Sequence, residues 1–296
     1  MKIIVVALRR SGSTIFWKCF RKATQATCFD EPFNPKLIQL PQEHSKQVWK
    51  EYIEYLKRNE VKFWNLFSPI YPVEELHTDF TQRQFSYLKE LLQQNDNVVI
   101  DTTRCWNKIS QLAEICPSDT FVIHLHRAPA SFVTSHLLPS DDKGRGSFLR
   151  NLKRKRSFWT RKNDYNKWGM EEMLGTDLLS AFHLLILKDQ KLAEAFYQMP
   201  AVYRLLKFWS IAYNQIEEQG NQVFGDRFVS IQFENFCSSP TQTLDKLQKK
   251  IGLEFDFEQL PKIQSLKPVY QSDSLNWKQI ASYWNLPKSD EFLFRN

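Results

Sequence analysis

The chain has 296 residues, of which 42% are hydrophobic, 25% are charged and only 8 are glycine. That balance excludes a disordered or collagen-like chain and allows one large α/β domain or two small ones. The formal charge of +7 is 40 Lys+Arg against 33 Asp+Glu. Its location is specific: residues 150–162, RNLKRKRSFWTRK, hold seven basic side chains and no acid, so the remaining chain carries 33 of each sign and is neutral.

In chain order, a first Val/Ile-rich strand is predicted at 2–8 and a helix directly after it at 12–22. A helix at 48–58 precedes a second strand at 61–67, and a helix at 82–94 precedes a third strand at 97–101. A helix at 106–115, a fourth strand at 120–126 and a helix at 129–138 follow. Helical spacing returns at 177–197 and 202–218, before a fifth strand at 227–234. Strands alternating with helices imply a central, mostly parallel sheet flanked by helices, an α/β doubly wound fold. The expected organisation is a single domain over 1–296, with 139–200 inserted as a lid or substrate segment that carries the basic run.

Ligands on such sheets sit beyond the carboxyl ends of the strands. The segments that matter are therefore 9–14, 68–69, 101–104, 127–135 and residue 235. The first reads Arg9-Arg10-Ser11-Gly12-Ser13-Thr14. A tight turn into a helix N-terminus aims backbone N–H groups and a positive dipole at one point. Arg10 adds a charge-assisted contact, and Ser13 and Thr14 add hydroxyls. This is an anion site, or else Ser11 and Ser13 only cap the helix. The Lys of a Walker A loop is absent, which disfavours an ATP or GTP site. At the end of the fourth strand, Arg127, Pro129 and Ser135 place a cation and a hydroxyl where they would pinch a phosphate from two sides.

These motifs resemble those of sulfotransferases that use 3′-phosphoadenosine 5′-phosphosulfate (PAPS). In that family a first loop like Arg10-Ser11-Gly12-Ser13-Thr14 grips the 5′-phosphosulfate. An Arg followed by seven residues and a Ser, here Arg127 and Ser135, grips the 3′-phosphate. The run Gln232-Phe233-Glu234-Asn235-Phe236 with Pro240, the segment 209–214 and Asn276-Trp277-Lys278 also resemble family positions. Together they cover nearly the whole chain, and they resemble bacterial natural-product members, though on no single motif. The resemblance implies a P-loop-NTPase-like sulfotransferase fold, PAPS as donor, 3′-phosphoadenosine 5′-phosphate (PAP) as product, no metal, and a donor contact from Lys278. The implied acceptor is a small-molecule hydroxyl or amine.

Arg10 is expected to stabilise the leaving phosphate. The general base is expected to be Glu31, in Phe29-Asp30-Glu31-Pro32, with Asp101 at the end of the third strand as second candidate. The His used by hormone and phenol sulfotransferases has no counterpart in Phe67-Ser68-Pro69. His124, His126 and His136 read as sheet or packing residues. Trp64 and Trp106 are candidates to line the acceptor pocket or stack on adenine. Five cysteines with no Cys-x-x-Cys pair argue against a disulfide framework or zinc site. With the short apolar run at 3–8, they lead to the expectation of a cytoplasmic protein without a membrane anchor. A nucleotide or sugar kinase and a nucleic-acid binder using 150–162 are the competing readings; the neutral remainder of the chain disfavours the latter.

Overall fold

The computed structural model describes residues 1–42, 49–137, 156, 186–263 and 276–294. Most of the insertion expected at 139–200, and the basic run within it save Arg156, lie outside the described residues. Five strands form one sheet: β1 (Lys2–Ala7), β2 (Thr27–Asp30), β3 (Val98–Thr102), β4 (Phe121–His126) and β5 (Phe228–Gln232). Their spatial order is β2-β3-β1-β4-β5, and every pairing is parallel. The expected α/β sheet is present.

Parallel strands must be covered on both faces, and the alternation along β1 shows how this is done. Ile4, Val6 and Leu8 join one apolar layer, while Ile3, Val5 and Ala7 join the other. The second layer is covered by α1 (Ser13–Ala23) and by α9 (Pro240–Ile251), through residues such as Phe16, Phe20 and Leu247. The first is covered by α2 (Lys50–Leu66), α3 (Gln82–Leu92), α4 (Ile109–Ile115), α5 (Pro129–Leu137) and α7 (Ala201–Phe224). Before α7 lies α6 (Gln190–Gln198), and α8 (Phe233–Ser238) follows β5 without a loop. At the C-terminal end, α10 (Trp277–Tyr283) contacts α7, and α11 (Asp290–Phe294) contacts α5.

One predicted strand is wrong. Residues 61–67 are the second half of α2, which breaks at Asn59 (φ −157°, ψ 75°) and restarts with the Asn59 side chain accepting the Lys62 N–H at 3.1 Å. Phe63 and Phe67 are buried while Val61 is 73% exposed. That is a spacing of four, the period of a helix rather than the alternation of a strand. The true second strand, Thr-Cys-Phe-Asp, has four residues and pairs only with β3 at the sheet edge. It is too short to stand out by apolar content. The correction moves the functional edge: the segment beyond β2 is 31–34, not 68–69. Likewise α4 starts at Ile109, leaving Trp106 in the preceding turn.

Sheet order places the site. The chain runs from β1 outward to β2, and later crosses from β3 over β1 to β4. The ends of β1 and β4 are therefore neighbours at the point where the winding reverses, the crevice where ligands bind in open α/β sheets.

Candidate active site

The loop after β1 is held by backbone geometry. Arg10 (φ 69°) and Gly12 (φ 88°) both occupy the left-handed region, and the Ser11 N–H donates to the Leu8 carbonyl at 3.1 Å. A Cβ on Gly12 would stand 2.2 Å from Phe233 Cζ, so this position admits only glycine. Gly12 is also the N-cap of α1, and no side chain caps the helix. The capping alternative for Ser11 and Ser13 therefore falls. The N–H groups of Gly12, Ser13 and Thr14 have no acceptor among the described residues. They are free donors at a positive helix end.

The loop after β4 meets this one. Arg127 Nη1 donates to the Arg10 carbonyl at 3.1 Å, and Arg10 Nε donates to the Ser135 carbonyl at 3.4 Å. The Arg127 guanidinium lies 5.1 Å from the Phe233 ring centroid, on the ring that also blocks Gly12. Glu234 braces the same corner. Its Oε2 accepts the Ala128 N–H at 3.1 Å, and its Oε1 lies 3.9 Å from Arg127 Nε. The Trp209 indole N–H donates to the Arg127 carbonyl at 3.1 Å. Burial pulls the Arg127 pKa down while Glu234 opposes that shift, and Arg127 Nε has no hydrogen-bond acceptor. Burial likewise pushes Glu234 up, against the Ala128 N–H and the Arg127 charge.

Arg10 through Thr14, Arg127 and Ser135 are thus brought together. The Ser135 hydroxyl donates to the Phe132 carbonyl at 2.8 Å, within its own helix. Lys278 is placed otherwise: its ammonium is exposed and pairs with Asp290 at 3.1 Å, joining α10 to α11. Phe233 and Glu234 were quoted within a sequence run but given no role. Their signal was their position directly after β5.

A second polar cluster lies at the ends of β2 and β3. Glu31 has a left-handed backbone (φ 50°), fixed by its N–H to the Asp101 carbonyl at 2.8 Å. Such an outlier in a non-glycine residue costs of order 1–3 kcal/mol and marks a site held by its surroundings. Glu31 Oε1 accepts the Thr103 N–H at 2.9 Å. Its Oε2 is buried without a donor, and Arg104 Nη1 is 3.9 Å away. Arg104 is buried between Glu31 and Glu75, with Nη1 3.5 Å from Glu75 Oε1. Glu75, fully buried, takes Arg9 with both oxygens; the Nη1–Oε2 contact is 2.7 Å. A chain of ion pairs therefore runs from Arg9, beside Arg10, to Glu31. Burial lowers the Arg104 pKa, and Glu31 and Glu75 work against that. Lys108 anchors the loop behind Glu75, donating to the His77 and Asp79 carbonyls at 2.6 and 2.8 Å.

Beside Glu31, Asp30 and Asp101 stand opposite each other in the β2–β3 register. Asp101 is fully buried, and neither of its oxygens has a hydrogen-bond donor at bonding geometry. Burial, then Asp30 and Glu31, raise the Asp101 carboxyl well above the usual range. Burial and Glu31 raise Asp30 to about 7. The Ser13 hydroxyl, from the anion loop, lies beside Asp101 and works against the rise.

His124, His126 and His136 pack within the fold. His124 Nδ1 is 2.6 Å from Glu217 Oε1, which also accepts the Ser230 hydroxyl at 2.7 Å. Burial pushes His126 and His136 down to about 3. Trp106 is core, edge-on to Phe208 at 5.6 Å, and Trp64 is half-buried against Phe63 at 4.9 Å. All five cysteines are free thiols. Among the described residues, no three His, Cys, Asp or Glu side chains are arranged to hold a metal ion, and no helix is long and apolar enough to cross a membrane.

No family model and no curated protein matches the chain. Two solved structures are similar to it. One is the sulfotransferase domain from the Synechococcus PCC 7002 olefin synthase, at 15% identity and a TM-score of 0.43, covering 96% of this chain and 86% of that one. The other is the sulfotransferase domain from the curacin biosynthetic pathway, at 12% identity and a TM-score of 0.42, covering 97% and 98% respectively.

Proposed function

We propose that this chain is a PAPS-dependent sulfotransferase acting on a hydroxyl or amine of a small-molecule acceptor and releasing PAP. One observation carries the reading: the loops after β1 and β4 interlock through Arg10, Arg127 and Ser135 around an uncapped helix N-terminus. A nucleoside carrying two phosphate groups needs two anion grips side by side. The residues fit that donor in detail. Free N–H groups at Gly12, Ser13 and Thr14 suit one phosphate, and the glycine cradle lets it approach the backbone. Arg127, with a buried Nε lacking an acceptor, suits the other. When bound, the donor supplies an activated sulfuryl group; the rest is this chain's work.

Arg10 and the α1 amides offset charge that grows on the leaving phosphate, with no reorganisation needed at that moment. Glu31 takes the acceptor proton on its carboxylate, whose side chain is partly exposed at 16%. Oε1 is fixed by the Thr103 N–H, and Arg104 faces the carboxylate. Glu31 is favoured over Asp101 because Asp101 is sealed from solvent, with 0% exposure.

Calorimetry with PAP and with ATP, each with and without Mg²⁺, tests the reading. PAP is expected to bind without Mg²⁺. Arg127→Ala should weaken it at least about tenfold, the value of one lost charge-assisted hydrogen bond. Binding of ATP with no preference for PAP refutes the proposal. In an acceptor screen with labelled donor, Glu31→Gln should keep PAP affinity and lose about 10²–10⁴ in turnover. Full turnover removes Glu31 from the role of base.

A further inference from the structure

The Asp30–Asp101 pair has no part in the transfer just described, yet three of its four carboxylate oxygens, both of Asp101 and Oδ1 of Asp30, are buried without a donor at bonding geometry. The two side chains are opposite neighbours on adjacent strands, on the face of the sheet that α1 covers. Two ionised carboxylates cannot donate to each other. A single proton held between them supplies the missing donor and removes one of two buried like charges.

The surroundings do not offer enough positive charge to replace that proton. From α1, Lys18 and Arg21 act on Asp30 from a distance, but Arg21 Nε is committed to Glu51 of α2 at 2.8 Å. The Tyr52 hydroxyl of α2 donates to the Asp30 carbonyl at 3.0 Å, not to its carboxyl. Glu31, next in the chain, adds a negative charge acting on both members. Ser13 lies beside Asp101 at the first residue of α1. Asp101 is therefore a neighbour of the first residue of α1, within the loop proposed to grip the anion.

We infer that the Asp30–Asp101 pair is a proton-binding element of the anion site, and that an anion at Gly12–Thr14 binds together with one proton on the pair. This deepens the function proposed above and rests on its anion site. The sign follows from electrostatics. A negative charge brought next to Ser13 favours the neutral carboxyl, so the complex holds more protons than the free protein. Affinity must then fall as pH rises through the pair's titration range, which burial and mutual repulsion raise above that of ordinary carboxylates.

Inorganic sulfate is the probe, because it stays a dianion across this range whereas PAP titrates. Sulfate affinity is measured calorimetrically between about pH 6 and 8, in buffers of differing ionisation enthalpy so that proton uptake is counted directly. The expected result is proton uptake on binding and a Kd that rises with pH, by at most about tenfold per pH unit because one proton is involved. Asp101→Asn and Asp30→Asn should each flatten the dependence; if the fully buried Asp101 variant does not fold, Asp30→Asn decides. Sulfate binding that is lost in Gly12→Ala but shows no pH dependence in the wild type overturns the inference and leaves the anion site standing. Dependence that persists in both Asn variants does the same. Sulfate binding untouched by Gly12→Ala, which drives a Cβ into the cradle, overturns the anion site itself, and the inference with it.

Discussion

The two polar corners of this sheet are built in opposite ways. At the ends of β1 and β4, the proposed anion grip consists mainly of backbone N–H groups, one glycine and two arginines, within short contiguous runs. At the ends of β2 and β3, four buried side chains, Asp30, Glu75, Asp101 and Arg104, gather with the partly exposed Glu31. They come from three separate parts of the chain. The first corner offers donors to an incoming ligand. The second holds its own charges in a closed set of pairs, leaving Glu31 Oε2 without a donor. A grip made of backbone is cheap to keep unoccupied, since exposed amides lose little in water. A buried charge network is costly to build and tolerates no missing member.

The sharpest way to break this contrast is Glu75→Ala. Removing the one carboxylate shared by Arg9 and Arg104 should cost about 3–5 kcal/mol, as for a buried pair that loses a partner. Urea unfolding reads this directly. A loss below about 1 kcal/mol would make the second corner no more interdependent than a surface pair. Gly12→Ala tests the first corner and should cost less, about 1–3 kcal/mol, from a strained backbone and a Cβ driven against Phe233. Its larger effect should fall on PAP affinity, because Phe233 must move and the Arg127 guanidinium rests on it. A Gly12→Ala protein that binds PAP as well as the wild type would show that the cradle is not needed.

The same contrast explains what could be read from sequence. Arg10–Thr14 and the Arg127…Ser135 spacing are local patterns attached to strongly apolar strands, so their place in the fold was legible. The parallel sheet was legible for the same reason in β1, β3, β4 and β5. Short β2 was not, because Cys28 and Phe29 are its only apolar residues. The apolar run at 61–67 drew the strand assignment away from it. Glu31 stands out in the run Phe29-Asp30-Glu31-Pro32, but its place at the end of a strand does not. Glu75 was invisible: a glutamate between Tyr71-Pro72-Val73 and His77 carries no pattern. Only the fold brings it to Arg9 and Arg104. Backbone recognition is written in neighbouring residues, whereas a charge network is written in the tertiary contacts of distant ones.

Lys278 gives the smallest expected effect and the finest test of where the first corner ends. Its ammonium pairs with Asp290, and both side chains are more than half exposed, at 59% and 72%. Such a pair contributes about 0–1 kcal/mol and is screened by salt. Lys278→Ala should therefore leave urea stability and PAP affinity nearly unchanged, in contrast to Arg127→Ala. The resemblance that assigned Lys278 to the donor makes the opposite forecast. A PAP affinity reduced about tenfold, with stability intact, would mean that the ammonium leaves Asp290 when the donor binds. The grip would then have a third member, brought in by the helices that pack on α5 and α7, and the first corner would no longer be assembled from local sequence alone.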